Sequence, residues 1–277
     1  MERPRLAVLG SPIEHSLSPR LHGAAYVVLG LDWSYEAVEV TAERLAEHLS
    51  ALGPEWRGLS LTMPLKRQVV PLLDATDELV RLTGVCNTVV LTPSGRSGYN
   101  TDVYGIVAAF RDHGVNSLEH MAVLGGGATA SSALVAGHRM GVRSAQFWVR
   151  NPDRASNIRE LAASLGVQAE IRAFTDPGSA GEFPDAVVST LPNGALVELD
   201  LPQELLRQSV LFDVAYDPWP THLASAWQRE GGRVISGIDM LINQALAQVR
   251  IFVGGSVDSA LPLEESVLRA MRASVGA

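Results

Sequence analysis

The chain has 277 residues, 47% hydrophobic and 19% charged, so it can bury a substantial core and is long for one simple domain. A formal net charge of −8 without a basic stripe excludes nucleic acid and anionic membrane surfaces as expected partners and favours a small molecule. The single cysteine, Cys86, excludes an intramolecular disulfide and a cysteine-rich zinc site, and we expect it to be a buried apolar residue.

The N-terminal sequence lacks the pattern of a secretion signal, and no apolar run approaches the roughly 20 residues of a membrane span. One cysteine also suits a reducing compartment. We therefore expect a cytoplasmic protein.

The first third of the chain alternates two patterns. Apolar runs at 5–10, 33–40 and 57–63 predict strands, and apolar residues at helical spacing predict helices over 18–29 and 41–52. Such alternation is typical of βαβ units around a mostly parallel sheet, so the expected fold class is α/β.

Residues 85–102 interrupt this pattern. Two strand-like runs there flank a cluster of turn residues, Pro93 to Gly98. A turn cluster between two such runs predicts a β-hairpin.

After the hairpin the alternation returns, and we place the junction of two α/β units near residues 102–118. Strand, turn or loop, and helix follow one another over 121–141 and again over 144–166. Apolar strands are predicted at 185–192 and 209–218. The C-terminal stretch is helical by periodicity, which does not show which unit its helices join.

A glycine-rich turn connects a strand to a helix in the segment GGGATA, residues 125–130. Its Gly-x-Gly-x-x-Ala spacing fits the dinucleotide fingerprint, in which small residues allow a tight turn, approach of the pyrophosphate and close packing of helix on strand. The helix N-terminus would attract the pyrophosphate. The predicted cofactor-binding residues of this turn are Gly125, Gly126, Gly127, Ala128 and Thr129.

The next strand indicates which dinucleotide to expect. An NAD site normally places a carboxylate about 20 residues on, to bind the ribose 2′-OH. This chain has Arg150, Asn151 and Arg154 instead, and a guanidinium is a good bidentate partner for a phosphate. Two solvated arginines at a helix start would be the alternative, but cations are disfavoured there. We therefore predict NADP.

Two serines, Ser16 and Ser18, flank one leucine just before Pro19. Ser18 fits the N-cap of a helix that has Pro19 at its first position, whereas Ser16 lacks that role. Two hydroxyls at a helix N-terminus would form a cradle for a small carboxylate. The nearby His15 and His22 have no carboxylate partner at a telling spacing, so we expect neither to be catalytic, and no cluster indicates a metal.

Six segments, in order and in spacing, resemble the shikimate dehydrogenase family, and the resemblance covers nearly the whole chain. They are SPIEHSLSP (11–19), LSLTMPLKR (59–67), GVCNTVV (84–90), GYNTDVYG (98–105), DVAYDPWPTHL (213–223) and GIDMLINQALAQ (237–248). The sequences of the short segments SLTMP, RNPDRA and YDPWPT are most similar to those of the actinobacterial branch of shikimate 5-dehydrogenases.

The resemblance implies roles for individual residues. The family's two serines that bind the substrate carboxylate match Ser16 and Ser18, and its lysine and aspartate, a catalytic pair, match Lys66 and Asp102. Its other substrate ligands match Thr62, Asn87, Tyr216 and Gln244, with Asp102 also binding a substrate hydroxyl. The residues that line its nicotinamide pocket match Gly237 and Met240.

The chemistry of these groups supports the catalytic pair. Reduction of a ketone needs a proton donor for the oxygen that becomes negative, and the Lys66 ammonium can stabilise and protonate that oxygen. An adjacent carboxylate, Asp102, would keep the ammonium charged and aimed. Without the family motif around it, Lys66 would be interpreted as a solvated lysine at the start of a helix. Asp102 could cap the following helix as well as pair with Lys66.

The chain departs from the commonest family pattern at four positions. Ser60 stands where Asn is usual, and Leu65 where many members have His or Phe. Ala128 and Ser131 replace an extra glycine and a basic residue at the glycine-rich turn. None removes a group that the chemistry needs, but the hydrogen bonding around Thr62 stays open.

The resemblance implies an α/β substrate-binding domain over 1–103 plus 238–277, a Rossmann-type NADP-binding domain over 104–237, and an active site in the cleft between them. The expected reaction is NADPH-dependent reversible reduction of 3-dehydroshikimate to shikimate, in the chorismate pathway of aromatic amino-acid biosynthesis, by a monomer or homodimer. The alternatives are a quinate or quinate/shikimate dehydrogenase that uses NAD, and a catalytically silent binding module.

Overall fold

The computed structural model describes residues 3–175, 183–192, 194 and 201–277. The chain forms two compact units, one from Met1–Gly105 together with Leu241–Ala277, the other from Ile106–Met240. Each contains a six-stranded sheet with helices, so the predicted α/β class is confirmed.

The elements follow one another along the chain with short connections. Up to residue 112 they are β1 (Arg5–Gly10), α1 (Ser18–Val28), β2 (Ser34–Glu39), α2 (Leu45–Ser50), β3 (Trp56–Leu61), α3 (Leu65–Gln68), β4 (Ala75–Thr76), α4 (Glu78–Thr83), β5 (Thr88–Thr92), β6 (Gly95–Tyr99) and α5 (Asp102–Asp112). From residue 120 they are β7 (His120–Leu124), α6 (Ala128–Arg139), β8 (Ser144–Val149), α7 (Ser156–Leu165), β9 (Gln168–Ala173), β10 (Ala186–Ser189), α8 (Gln203–Gln208), β11 (Val210–Asp213), α9 (His222–Arg229), β12 (Arg233–Ser236), α10 (Gly237–Gly254) and α11 (Glu264–Val275).

The sheet of the first unit has the strand order β2-β1-β3-β5-β6-β4. β2, β1 and β3 are parallel, whereas β5 is antiparallel to both β3 and β6. In the interior strand β1, the side chains on both faces are buried, as a covered parallel strand requires: Leu6, Ala7, Val8 and Leu9. Leu9 pairs with Leu61, so the carboxyl ends of β1 and β3 lie side by side.

The core of the first unit packs side chains of the sheet against those of α2, α3 and α4. Leu59 and Leu61 of β3 contribute to it, as do Leu65 and the fully buried Cys86. α11 packs against α1, so the C-terminal helix belongs to this unit. This packing fixes the ends of β1, β3 and β5, from which the candidate site is built.

The sheet of the second unit is parallel throughout, with the order β12-β11-β10-β7-β8-β9. When β7 to β12 are numbered 1 to 6 and the sheet is read from the β9 edge, the order is 3-2-1-4-5-6, that of the doubly wound dinucleotide-binding (Rossmann) fold. The strand order reverses between β7 and β10, because β8 and β9 follow β7 toward one edge of the sheet and β11 and β12 follow β10 toward the other. Ligands of such sheets bind outside the carboxyl ends of the strands at that point.

Several predicted elements have different limits in the structure. The helix predicted over 41–52 is only α2, because residues 42–44 form a turn before it. The hairpin is tighter than predicted, since Gly95–Tyr99 is strand β6 and only Pro93 and Ser94 connect it to β5. The strand predicted over 209–218 ends at Asp213.

Four further elements of the second unit were not predicted: β9, α8, α9 and β12. The edge strands β9 and β12 are largely half-exposed or exposed, so they lack a continuous apolar run. Among the described residues, no helix combines the length and the apolar character needed to cross a membrane.

Candidate active site

A lysine and an aspartate form a close pair in the first unit. Lys66 lies in the short helix α3, and Asp102 is the first residue of α5. Lys66 Nζ lies 2.6 Å from Asp102 Oδ2, and the two side chains are 14% and 3% exposed. A charge-assisted hydrogen bond with so little solvent contact is only weakly screened. The pair therefore holds the ammonium in one direction.

Asn87, which precedes β5, holds the other oxygen of the same carboxylate. Its Oδ1 accepts from the backbone N–H of Thr101 at 2.9 Å, which fixes the orientation of the amide because a backbone N–H can only donate. Its Nδ2 then donates to Asp102 Oδ1 at 2.9 Å. Both carboxylate oxygens are thus engaged, one by Asn87 and one by Lys66.

Gln244 of α10 completes this cluster. Asn87 Nδ2 donates to its Oε1 at 3.2 Å, and Thr101 Oγ1 donates to the same atom at 3.4 Å. The structure therefore brings together four residues to which the resemblance gives a role: Lys66, Asn87, Asp102 and Gln244. Thr101 also belongs to the cluster, although sequence reasoning gave it no role; its place in the GYNTDVYG segment was the available signal.

The side chain of Asp102 does not cap α5. Its backbone N–H donates to Asn100 Oδ1 at 3.1 Å, so the start of α5 is capped by the side chain of Asn100. The Asp102 carboxylate is directed to Lys66 and Asn87 instead.

The two serines follow β1. The interpretation of Ser18 as the N-cap of α1 is wrong, because the backbone is already helical at Leu17 and Ser18 is the first residue of the helix. It is Ser16 whose hydroxyl accepts a helix-terminal N–H, that of Ser18, at 3.3 Å. Ser18 is buried and Ser16 half-buried.

Thr62 lies directly after β3, and its backbone N–H donates to Leu9 O of β1 at 2.9 Å. This pairing sets Thr62 beside the strand end that leads to Ser16 and Ser18. Within the described part of the chain, no side-chain hydrogen bond joins these three hydroxyl residues to the Lys66–Asp102 pair.

The departures from the family pattern have structural explanations. Ser60 accepts from the Tyr35 hydroxyl at 2.7 Å and donates to Gln248 Oε1 at 2.9 Å, so its hydroxyl serves a buried network rather than Thr62. Leu65 is fully buried in the core of the first unit. Ser131 is buried within α6.

His22 and Cys86 are buried groups of the first unit. Burial lowers the pKa of His22 to about 3, which makes it a poor acid or base near neutral pH. Burial raises the pKa of the Cys86 thiol to about 12, so the thiol is unreactive. Within the described residues, no group of His, Cys, Asp and Glu side chains has the arrangement of a metal site.

In the second unit, the glycine turn connects β7 to α6 and lies at the point where the strand order of the sheet reverses. Gly125 has φ +111°, and a Cβ there would collide with Thr190 Oγ1 after β10, so only glycine fits. A Cβ at Gly127 would meet nothing within 4 Å, which leaves room for a ligand at the N-cap of α6. Ala128 and Thr129 form the first turn of this helix, where anions are favoured.

Arg150, Asn151 and Arg154 follow β8, the neighbour of β7. Asn151 Oδ1 accepts from the backbone N–H of Asp153 at 3.0 Å and caps a short 3-10 helix, so this side chain has a structural role. Both arginines are exposed, and within the described residues neither guanidinium has a hydrogen bond or an ion pair. Two unpaired cations at the carboxyl edge of the sheet suit an anionic ligand.

Tyr216 lies in the loop after β11 and is half-buried. Burial, and to a smaller extent the charge of Asp217, raises its pKa above the usual value. Asp213 holds the loop, because its Oδ2 accepts from Thr221 Oγ1 at 2.6 Å and its Oδ1 from the Ala215 N–H at 3.3 Å. This explains why β11 ends at Asp213.

Gly237 and Met240 lie in the first turn of α10. A Cβ at Gly237 would collide with Val214 O, so a glycine is required for the helix to start beside the end of β11. Met240 is buried. Both residues lie in the second unit, in which Gly125 and Arg150 also lie.

Comparison with known proteins gives the family. Residues 8–89 match the family model of the shikimate dehydrogenase substrate binding domain. A curated shikimate dehydrogenase (NADP(+)) of Rubrobacter xylanophilus is 34% identical over 266 residues, 93% of each chain. The chain belongs to the shikimate dehydrogenase family.

Solved structures agree with this assignment. The crystal structure of Mycobacterium tuberculosis shikimate dehydrogenase is 38% identical, with a TM-score of 0.82 over 98% of this chain and 99% of that one. Shikimate 5-dehydrogenase of Thermus thermophilus, solved in complex with NADP(H) and shikimate, is 28% identical, with a TM-score of 0.80 over 98% and 99%.

Proposed function

We propose that this chain is an NADP-dependent shikimate dehydrogenase, which interconverts 3-dehydroshikimate and shikimate. The observation that carries the proposal is the Lys66–Asp102 pair, closed at 2.6 Å and held by Asn87, in a member of this family. The name of the Rubrobacter relative and the ligands of the Thermus structure support the choice of substrate and cofactor.

The first unit would bind the substrate. Shikimate is a carboxylate that carries several hydroxyls, so it needs hydroxyl or N–H donors for its anion and mixed donors and acceptors for its alcohols. Ser16 and Ser18 would take the carboxylate. The residues of this unit proposed to bind the rest of the molecule are Thr62, Asn87, Asp102 and Gln244. Tyr216, a residue of the second unit, is proposed as a further ligand of the substrate.

The second unit would bind NADP. The open backbone at Gly127 and the N-terminus of α6 fit a pyrophosphate. The guanidinium groups of Arg150 and Arg154, which are exposed and have no partner among the described residues, fit the 2′-phosphate. Gly237 and Met240 would line the nicotinamide pocket. When bound, NADPH supplies the hydride.

Lys66 would supply the proton. In reduction, the carbonyl carbon of the substrate gains a hydride while its oxygen takes a proton from the Lys66 ammonium, and solvent then reprotonates the lysine. Asp102 aims the ammonium and can share its proton, and Asn87 keeps that carboxylate from rotating. In oxidation the steps run in reverse: the Lys66 ammonium first gives up a proton to solvent, and the resulting neutral amine takes the proton from the substrate hydroxyl.

The test offers shikimate and quinate with NADP and with NAD to the purified protein and follows the absorbance of the reduced nicotinamide. Strong preference for shikimate with NADP is expected. Lys66→Ala, purified in parallel, controls for dehydrogenases of the expression host and should be inactive.

Other outcomes would contradict the proposal in identifiable ways. Preference for quinate with NAD would identify a quinate dehydrogenase and would refute the role of Arg150. No turnover with any pair of substrate and cofactor would favour a silent binding module.

We still expect the protein to be a monomer or homodimer in the cytoplasm.

A further inference from the structure

A second glutamine of α10, Gln248, follows Gln244 by one helical turn, so both lie on the same face of the helix. Gln248 is 1% exposed. Its Nε2 donates to Asn87 O at 3.2 Å and to Thr88 Oγ1 at 3.0 Å. Its Oε1 accepts from Ser60 Oγ at 2.9 Å and lies 3.1 Å from a ring nitrogen of His22. The whole hydrogen-bonding capacity of this buried amide is therefore used.

These partners fix the proton on His22. The Asn87 carbonyl can only accept, so the NH₂ group of Gln248 faces it and the Gln248 oxygen faces His22. His22 must then carry its proton on Nε2, and its Nδ1 accepts from the Tyr26 hydroxyl at 3.2 Å. The ring also stacks on Tyr35, with centroids 3.9 Å apart. His22 is thus a neutral donor locked in one tautomer.

Two hydrogen-bonded routes lead from Gln248 to the Asp102 carboxylate. Along the backbone, Asn87 O accepts from Gln248 and also from the Leu61 N–H at 2.8 Å, which fixes residue 87 against β3. Through side chains, the Thr88 hydroxyl accepts from Gln248 and donates to Asn87 Oδ1 at 2.8 Å. Both routes end at Asn87, whose Nδ2 holds Asp102 Oδ1.

We propose that Gln248 is a positioning residue for the reaction: it fixes Asn87 and thereby the Asp102 carboxylate, and the Nε2–H of His22 supplies one of the four hydrogen bonds that hold the Gln248 amide. This inference rests on the proposed function. Gln248 acts only through Asn87, since its own amide groups are all bonded to protein. A displacement of about 1 Å in a catalytic group can cost up to about 100-fold in rate, so the loss of this anchor should reduce turnover.

The test compares Gln248→Met with the unchanged protein in shikimate oxidation. Methionine fills a similar volume but removes all four hydrogen bonds of the amide. We expect kcat to fall about tenfold or more and KM for shikimate to rise, with KM for NADP unchanged. If Gln248 had only a structural role, the substitution would lower the melting temperature without raising KM for shikimate selectively over KM for NADP.

Tyr35→Phe is the matched control. It removes the hydroxyl that donates to Ser60, at the far end of the same network, and keeps the ring that stacks on His22. Ser60 can still donate to Gln248, so the melting temperature should fall while kcat stays within twofold. An equal loss of kcat in Tyr35→Phe would overturn the proposal.

Two variants at Thr88 keep the test decisive if Gln248→Met does not fold. Thr88→Val cuts the side-chain route and should lower kcat several-fold, whereas Thr88→Ser keeps the hydroxyl and should restore it. Turnover within twofold of the unchanged protein in Gln248→Met or in Thr88→Val would overturn the proposal. Absence of shikimate turnover in the unchanged protein would instead overturn the proposed function, and this inference with it.

Discussion

The two candidate binding regions are built in different ways. In the first unit, Lys66, Asn87 and Asp102 are largely buried and bond to one another, so each side chain is held by the next. In the second unit, the open backbone at Gly127 and exposed arginines such as Arg150, whose guanidinium has no hydrogen bond or ion pair within the described residues, leave space and charge for a ligand.

The difference follows from what each region has to do. Proton transfer depends on a fixed direction, which a buried and mutually bonded cluster provides before the substrate arrives. Recognition of phosphates depends on charge and on room for close approach, so free cations and absent side chains are sufficient. Substitutions in the first region should therefore change turnover, and those in the second should change cofactor affinity.

The largest effect is expected for Asp102→Asn. The amide keeps the shape of the carboxylate but not its charge, so Lys66 loses its ion-pair partner and kcat should fall about 100- to 1,000-fold. Asp74→Asn is the matched control, because Asp74 is exposed and accepts from the Arg96 N–H in the same unit. Steady-state kinetics measure kcat of both variants, and an equal loss of kcat in the two would contradict the account.

Arg150→Gln should change only the affinity for the cofactor. Loss of a charge-assisted bond to the 2′-phosphate should raise KM for NADP about tenfold to 100-fold and leave the slow reaction with NAD unchanged. Arg143 lies just before β8, whereas Arg150 follows it, so Arg143→Gln serves as the control and should change neither. Equal effects of Arg150→Gln on both cofactors would refute the assignment to the 2′-phosphate.

Two glycines of the same turn should respond differently. The methyl group that Gly127→Ala adds meets no protein atom within 4 Å, so the melting temperature should stay the same. KM for NADP should rise about tenfold, because the methyl group occupies the space proposed for the pyrophosphate. Gly125→Ala should lower the melting temperature, because of its φ of +111° and the contact with Thr190. An unchanged KM for NADP in Gly127→Ala would argue against binding at this turn.

His22 should make the stability of the protein depend on pH. In the folded protein its pKa is about 3, whereas in the unfolded chain it protonates near its usual 6.5, so below that pH the unfolded chain binds more protons. Its contribution to the free energy of unfolding should be present above about pH 6.5 and fall by about 1.4 kcal/mol per pH unit toward pH 3. Urea denaturation of the protein and of His22→Asn should show this slope in the former only.

The sequence predicted those parts of the fold and site that depend on local pattern. The strands β1 and β7, the glycine turn and the helix α6 follow from apolar runs and from small residues at fixed spacing. The resemblance brought Lys66, Asn87, Asp102 and Gln244 to one site, although they lie far apart along the chain.

Other features depend on tertiary contacts that no local pattern records. Ser16 accepts the helix-terminal N–H because the chain is already helical at Leu17, and residue type alone favours Ser18. The roles of Thr101 and Gln248 arise only when α10 packs against the start of β5. The segments 176–182 and 195–200 lie outside the described residues, and the sequence prediction assigned them no site residue.

The most direct test of the account measures shikimate binding and turnover in the same variant, Lys66→Ala. The account predicts that kcat falls by about 100-fold or more while the dissociation constant for shikimate, from calorimetric titration, changes by less than about threefold, because Asn87, Asp102 and Gln244 remain. Turnover close to that of the unchanged protein would contradict the assignment of Lys66 as the proton donor.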